Sequence, residues 1–304
     1  MNPKQLKRVV VLLVVVLFFW VMAEILGRGR DDSETAFVLP ALEVTDVDTV
    51  TIMSPSDTVV LARSGGDWTV NGFEASSSEL ESLFGALRDS SDAGLVSTGA
   101  TVHERMEVDA ESATRMRFVD GGSTLADVLF GKSGRRYNSR YVRQEGSDLV
   151  YLYVGEVSRF VSRRVDDWRD KRILDLQQDM IQLVTVQRGD ERYTLVRDGT
   201  TWRLSTGVSA DSAGVSRMLT QYSALDATGF ADSAQADSAD FSEPNRSVTI
   251  VGQPGDTLAA LVFDSTAAAF WVRRASGGTI YRILQWKANQ MVPAESTLVA
   301  AAGG

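Results

Sequence analysis

One pattern written twice constrains this chain more than any other feature. Residues 61–70 read LARSGGDWTV and residues 195–204 read LVRDGTTWRL. Both satisfy L-x-R-x-G-x-x-W-x-[VL], which sets Leu61, Arg63, Gly65 and Trp68 against Leu195, Arg197, Gly199 and Trp202 at a constant offset of 134. Val50 and Ile52 fall against Val184 and Val186 at the same offset. Farther on, Tyr141-Val142-Arg143 answers Trp271-Val272-Arg273 and Val150-Tyr151 answers Ile280-Tyr281, at an offset of 130. Solenoid units repeat every ~20–50 residues, so a period this long predicts two copies of a whole domain.

Within each copy the apolar spacing predicts the same local structure. A strand near residue 50 leads to a hairpin turning at Gly65-Gly66, with apolar residues alternating at Val59 and Leu61, then Trp68 and Val70. That period of two belongs to a sheet covered on one face. Ser76-Ser77-Ser78-Glu79 has the form of a capping box, opening a helix with Leu80, Leu83, Phe84 and Leu87 on one side. In the second copy Asp211 is placed to cap a helix bearing Val215, Met218, Leu219 and Tyr222. Further strands are expected around 115–119, 124–130, 138–143 and 149–154. The fold class is therefore α+β, two tandem homologous units that are each an antiparallel sheet with a packing helix. Trp68 and Trp202 are expected to cover the sheet beneath the helix. The low-complexity ADSAQADSAD at 231–240 is expected as a solvated loop.

An N-terminal transmembrane helix is expected before these units. Residues 9–26 form an 18-residue run whose only charge is Glu24, long enough at ~1.5 Å per residue to cross a hydrocarbon core. Lys4, Lys7 and Arg8 precede it, which favours an amino terminus on the cytoplasmic side of a bacterial inner membrane and an extracytoplasmic bulk. A cleaved signal peptide, cut after Val21-Met22-Ala23, is the rival reading; the bulky Phe18-Phe19-Trp20 favours an uncleaved anchor. The expected boundaries are a stub and anchor over 1–30, a linker over 31–42, a first unit over 43–162, an inter-unit linker over 163–178, a second unit over 179–295 and a disordered tail over 296–304.

Composition narrows the chemistry. A net charge of -9 and a pI near 4.8 argue against general nucleic-acid binding, which needs a basic face. The absence of cysteine removes disulfides, thiolate metal sites and thiol nucleophiles. His103, the single histidine, lies in TVHERMEVD and is expected on an exposed loop; no G-x-S-x-G elbow accompanies it. Gly131-Lys132-Ser133 imitates the end of a phosphate loop, yet Ala126 stands where the first glycine belongs and a strand-like RRYNSRYVR follows. No cofactor, metal or catalytic residue is expected.

Charge is uneven. Residues 131–172 carry eleven Lys/Arg against six Asp/Glu. Within them Lys132, Arg135, Arg136, Arg140 and Arg143 interleave with Tyr137 and Tyr141, a candidate binding patch for an acidic partner or for anionic glycan or lipid headgroups. The bland reading is an edge whose arginines discourage strand pairing. DDWRDKRILDL, residues 166–176, alternates charges around Trp168 and reads as a strut joining the two units.

Taken together, the anchor, the two R-x-G-x-x-W hairpins and the WRDKRIL segment between them resemble a bacterial membrane-anchored family, the domain of unknown function 4340, over residues 43–295. Members of that family are often encoded beside gliding-motility-type ABC transporter genes. The resemblance implies a protein partner in an envelope complex, possible ABC transporter components among them, and brings no catalytic or binding residues. The expected function is a non-catalytic accessory or binding protein; the alternative is an envelope glycan hydrolase using paired carboxylates.

Overall fold

Alternating apolar residues and glycine turns give this chain two large sheets, each folded around its own core. The computed structural model describes residues 37–253, 255–265 and 269–300. The anchor expected over 9–26 lies outside them. Among the described residues no helix is long and apolar enough to cross a membrane. The chain divides into two units between Arg169 and Asp170.

In the first unit the strands are β1 (Thr49–Met53), β2 (Thr58–Ser64), β3 (Asp67–Val70), β4 (Phe73–Glu74), β5 (Asp92–Ser97), β6 (Thr114–Asp120), β7 (Ser123–Ser133), β8 (Ser139–Gln144) and β9 (Val150–Val154). Their order across the sheet is β4-β3-β2-β1-β6-β7-β8-β9-β5. Helices α1 (Ser77–Arg88), α2 (His103–Met106) and α3 (Val165–Trp168) complete it. In the second unit β10 (Arg172–Leu174) pairs with β14 (Leu225–Asp226). The main sheet contains β11 (Leu183–Arg188), β12 (Glu191–Asp198), β13 (Thr201–Leu204), β15 (Gly229–Phe230), β16 (Arg246–Val251), β17 (Thr257–Ser265), β18 (Ala269–Arg274) and β19 (Ile280–Leu284). Its order is β13-β12-β11-β16-β17-β18-β19-β15. Helices α4 (Ser212–Ser223), α5 (Ser233–Ser238) and α6 (Gln285–Met291) belong to this unit.

The two sheets keep equivalent registers. Val50 lies opposite Leu61 and Phe118, while Val184 lies opposite Leu195 and Ile250. Arg63 pairs with Trp68 and Arg197 with Trp202 across the expected hairpins. The helix faces dock as their spacing requires: Leu80, Leu83, Phe84 and Leu87 join Val50, Leu61 and Phe118 in one core. Val215, Met218, Leu219 and Tyr222 join Val184, Leu195 and Ile250 in the other. Each fully buried Leu, Val or Phe contributes roughly 1.5–3 kcal/mol of transfer energy. Trp68 and Trp202 are partly buried against these cores.

Several local expectations are corrected. Ser76 does accept the Glu79 N–H at 3.4 Å, but the Glu79 carboxylate pairs with Arg163 instead of reaching back to the cap. A guanidinium offers a stronger charge-assisted bond than a backbone amide. The segment 231–240 is not a bare loop: Asp232 and Gln235 form a reciprocal capping box that starts α5. The tail expected from 296 onward is ordered through Ala300, with Leu298 buried and Val299 bridged to Ala210.

The strut around Trp168 divides between the units. Its first half closes unit one: the Trp168 ring is fully buried, 5.7 Å from Phe160, and its carbonyl accepts the Ser76 N–H at 2.8 Å. In unit two the Leu298 carbonyl accepts the Asp211 N–H at 2.7 Å, the same bond at the same helix cap. From residue 170 the strut opens unit two, burying Ile173 and Leu174. A 3-10 turn at Gln178–Met180 follows, 134 residues after the one at Val44–Asp46.

Candidate binding surface on the first unit

The basic patch is organised by a bulge in the β7–β8 hairpin. Phe130 lies opposite Val142, but the next pair is Ser133 with Arg140, so two residues on β7 face one on β8. Gly131 sits in the bulge, where an added Cβ would come within 2.1 Å of the Met106 carbonyl oxygen and 2.9 Å of that of Glu107. Only glycine lets the backbone after α2 lie so close. Lys132 then donates to the Arg105 carbonyl.

Three of the seven patch residues are thereby committed to the protein itself. Besides Lys132, Arg140 donates to the Gly131 carbonyl at 3.0 Å and to Ser162 Oγ at 2.8 Å. Burial lowers the Arg140 guanidinium pKa, and the Glu107 charge only partly opposes this. Arg143 donates to the carbonyls of Val108 at 2.8 Å and Ser147 at 3.1 Å. Tyr141 is half-buried. What remains is the hairpin tip, where Arg135, Arg136 and Tyr137 are exposed, Tyr137 by 89%. The tip is held by Gly134 N–H to the Ser139 carbonyl at 2.9 Å and by Ser139 Oγ to the Arg136 carbonyl at 2.6 Å. Among the described residues neither Arg135 nor Arg136 has an ion-pair partner. On β8 Arg140 shares the face of the buried Val142. Of the two carbonyls that occupy Arg143, that of Val108 lies 35 positions earlier and carries no local signal.

The remaining motifs fall outside this tip. Gly131-Lys132-Ser133 ends β7 and is followed by β8 rather than a helix. His103 is half-buried at the start of α2, correcting the exposed-loop expectation, with Nε2 3.1 Å from the Asp148 carbonyl oxygen. On the outer sheet face Arg115 and Arg117 both bind Asp127, at 2.7 and 2.8 Å. Burial would raise the Asp127 carboxyl pKa, but hydrogen bonds and charge from the two arginines hold it below its ordinary value. Among the described residues no three metal-ligating side chains converge.

An open cleft also lies on each unit. In unit one a cavity of about 320 Å³ is lined by Ser54, Ser56, Asp57, Thr114, Ser162 and Arg164. In unit two a cleft of about 470 Å³ runs between Ile173, Leu176, Leu258, Ala260, Arg274 and Ser276. Arg274 spans it, donating to the carbonyls of Ile173 at 3.0 Å and Arg172 at 2.9 Å. Each cleft has a single carboxylate on its wall, Asp57 in one and Asp175 in the other.

A model of the family described as a domain of unknown function (DUF4340) matches residues 68–245, more than half of the chain. No curated protein and no solved structure matches it.

Proposed function

This chain belongs to the DUF4340 family, and we propose that it is a membrane-tethered, extracytoplasmic binding subunit of a cell-envelope complex, without catalysis of its own. The observation that carries this reading is the apolar run over 9–26, with Lys4, Lys7 and Arg8 before it. The two units descend from one duplicated module, as their matching strand orders and registers support. A tether raises the effective concentration of any surface they present to a neighbour in the same membrane. The family resemblance points to an ABC-type transporter of the gliding-motility kind as that neighbour.

The hairpin tip is the surface we assign to the partner. Arg135 and Arg136 supply unpaired cations and Tyr137 an exposed ring, a combination suited to an acidic protein surface. A photo-crosslinking residue in place of Tyr137, activated in native membranes, should capture a transporter component. Arg135→Glu with Arg136→Glu should abolish that capture without changing the unfolding midpoint. Undiminished capture by the double variant would remove the tip from the interface. A reporter enzyme fused at the carboxyl terminus should be active only outside the cytoplasm, and cytoplasmic activity would defeat the tether reading.

A further inference from the structure

The second unit carries a feature that neither the hairpin tip nor the tether explains. Arg188, the last residue of β11, lies directly opposite Arg246, the first of β16. Both share the strand face of Val186 and Val248, which are buried in the core. Like charges placed directly opposite on a sheet repel, and partial burial raises the cost of leaving them uncompensated. Both side chains are half-buried.

The surrounding groups leave that charge standing. Arg188 Nη1 donates to the Val292 carbonyl at 3.2 Å, and Arg246 Nη1 donates to Asn289 Oδ1 at 2.8 Å. The Arg246 guanidinium lies 4.5 Å over the Phe270 ring. Both hydrogen-bond acceptors are neutral, and each guanidinium has five donors. Among the described residues neither arginine forms an ion pair. Glu191 is paired with Arg188 across the β11–β12 hairpin, yet its carboxylate accepts the Glu295 N–H at 3.0 Å. Burial lowers the Arg246 pKa, and the Arg188 charge lowers it further.

We infer that Arg188 and Arg246 together bind a small oxyanion, a phosphate or carboxylate group seated between the two guanidiniums at the end of the second sheet. A planar fork on each side suits bidentate recognition of such oxygens, and the bound charge cancels the repulsion that the bare pair carries. The site belongs to one unit only. In the first unit the equivalent positions are Ser54 and Thr114, one step past the last β1–β6 pair of Met53 with Arg115, and both line the cavity described above.

The test uses the full chain and inorganic phosphate, titrated by calorimetry and by thermal melting against sodium chloride at matched ionic strength. Phosphate should bind once per chain and raise the melting temperature where chloride does not. Arg188→Gln and Arg246→Gln should each weaken binding at least tenfold, whereas Arg217→Gln on the exposed side of α4 should leave it unchanged. In the unsubstituted protein, phosphate should slow amide hydrogen exchange at residues 184–190 and 245–250, a readout that survives if a variant fails to fold. Acetate and methyl phosphate as rival ligands separate a carboxylate source from a phosphate ester or the free ion. An equal response to chloride, undiminished binding in both glutamine variants, or exchange protection elsewhere would overturn the assignment. None of these outcomes depends on the membrane tether.

Discussion

The two units agree on their buried faces and differ most on their outer ones. Facing the helix, Val50, Leu61 and Phe118 in one unit stand where Val184, Leu195 and Ile250 stand in the other. On the opposite face, Arg115, Arg117 and Asp127 form a charged triad in unit one, where the corresponding register in unit two holds Ser247, Thr249 and Ala260. The β7–β8 hairpin is bulged around Gly131, whereas β17 and β18 pair without a shift. Where unit two ends its sheet with Arg188 and Arg246, unit one has Ser54 and Thr114. Close packing couples every core residue to its neighbours, so a shared fold preserves the inner face. A solvent-facing position answers only to its own partners and is free to acquire a separate task.

The closing segments offer the strongest way to break this comparison. Trp168→Ala should cost about 3–5 kcal/mol, and Leu298→Ala about 2–5 kcal/mol at the equivalent place. Denaturant unfolding followed by hydrogen exchange in each unit would measure both. If Leu298→Ala left unit two unchanged, the two closures would not be equivalent. Next in size, Gly131→Ala forces a Cβ against the Met106 carbonyl and should destabilise unit one by about 1–3 kcal/mol. Asp264→Ala, at the regular counterpart position, should cost under about 1 kcal/mol.

Acid sharpens the contrast further. The folded Asp127 carboxyl titrates below its unfolded value of about 3.9. Its stabilisation is therefore complete above that value and is lost as pH falls through the lower, folded-state one. Exchange in unit one should accelerate across that window, and Asp127→Asn should remove the step while costing about 1–3 kcal/mol at neutral pH. Unit two, with Ala260 at this place, should show no such step from its outer face. A modest effect is expected at the helix caps. Asp211 accepts N–H groups at 2.7 and 3.4 Å, and Ser76 accepts one at 3.4 Å. Asp211→Ala should cost about 1 kcal/mol and Ser76→Ala less, as circular dichroism melts would register.

Local chemistry made much of the fold legible. The strands near 115–119, 124–130, 138–143 and 149–154 appear within a few residues of those positions because alternation is a property of each strand alone. The helix faces were readable for the same reason at their own period. Strand β5 was not foreseen: DAGLVS has no alternation, and its pairing with β9 joins residues more than fifty positions apart. The candidate surface was half legible. Its charges stand in the sequence, but the carbonyls that occupy Lys132, Arg140 and Arg143 belong to residues 4 to 35 positions away.

By itself the sequence determined that one sheet-and-helix pattern occurs twice, which residues of each copy turn inward, and where the packing helix of each copy begins. These follow from periodicity and capping, which act over a few residues. Only the tertiary structure decided which arginines remain available, that Trp168 closes one unit while Ile173 opens the next, and that Arg188 meets Arg246. Those outcomes depend on which distant backbone groups arrive beside a side chain, and no short-range pattern encodes that arrival.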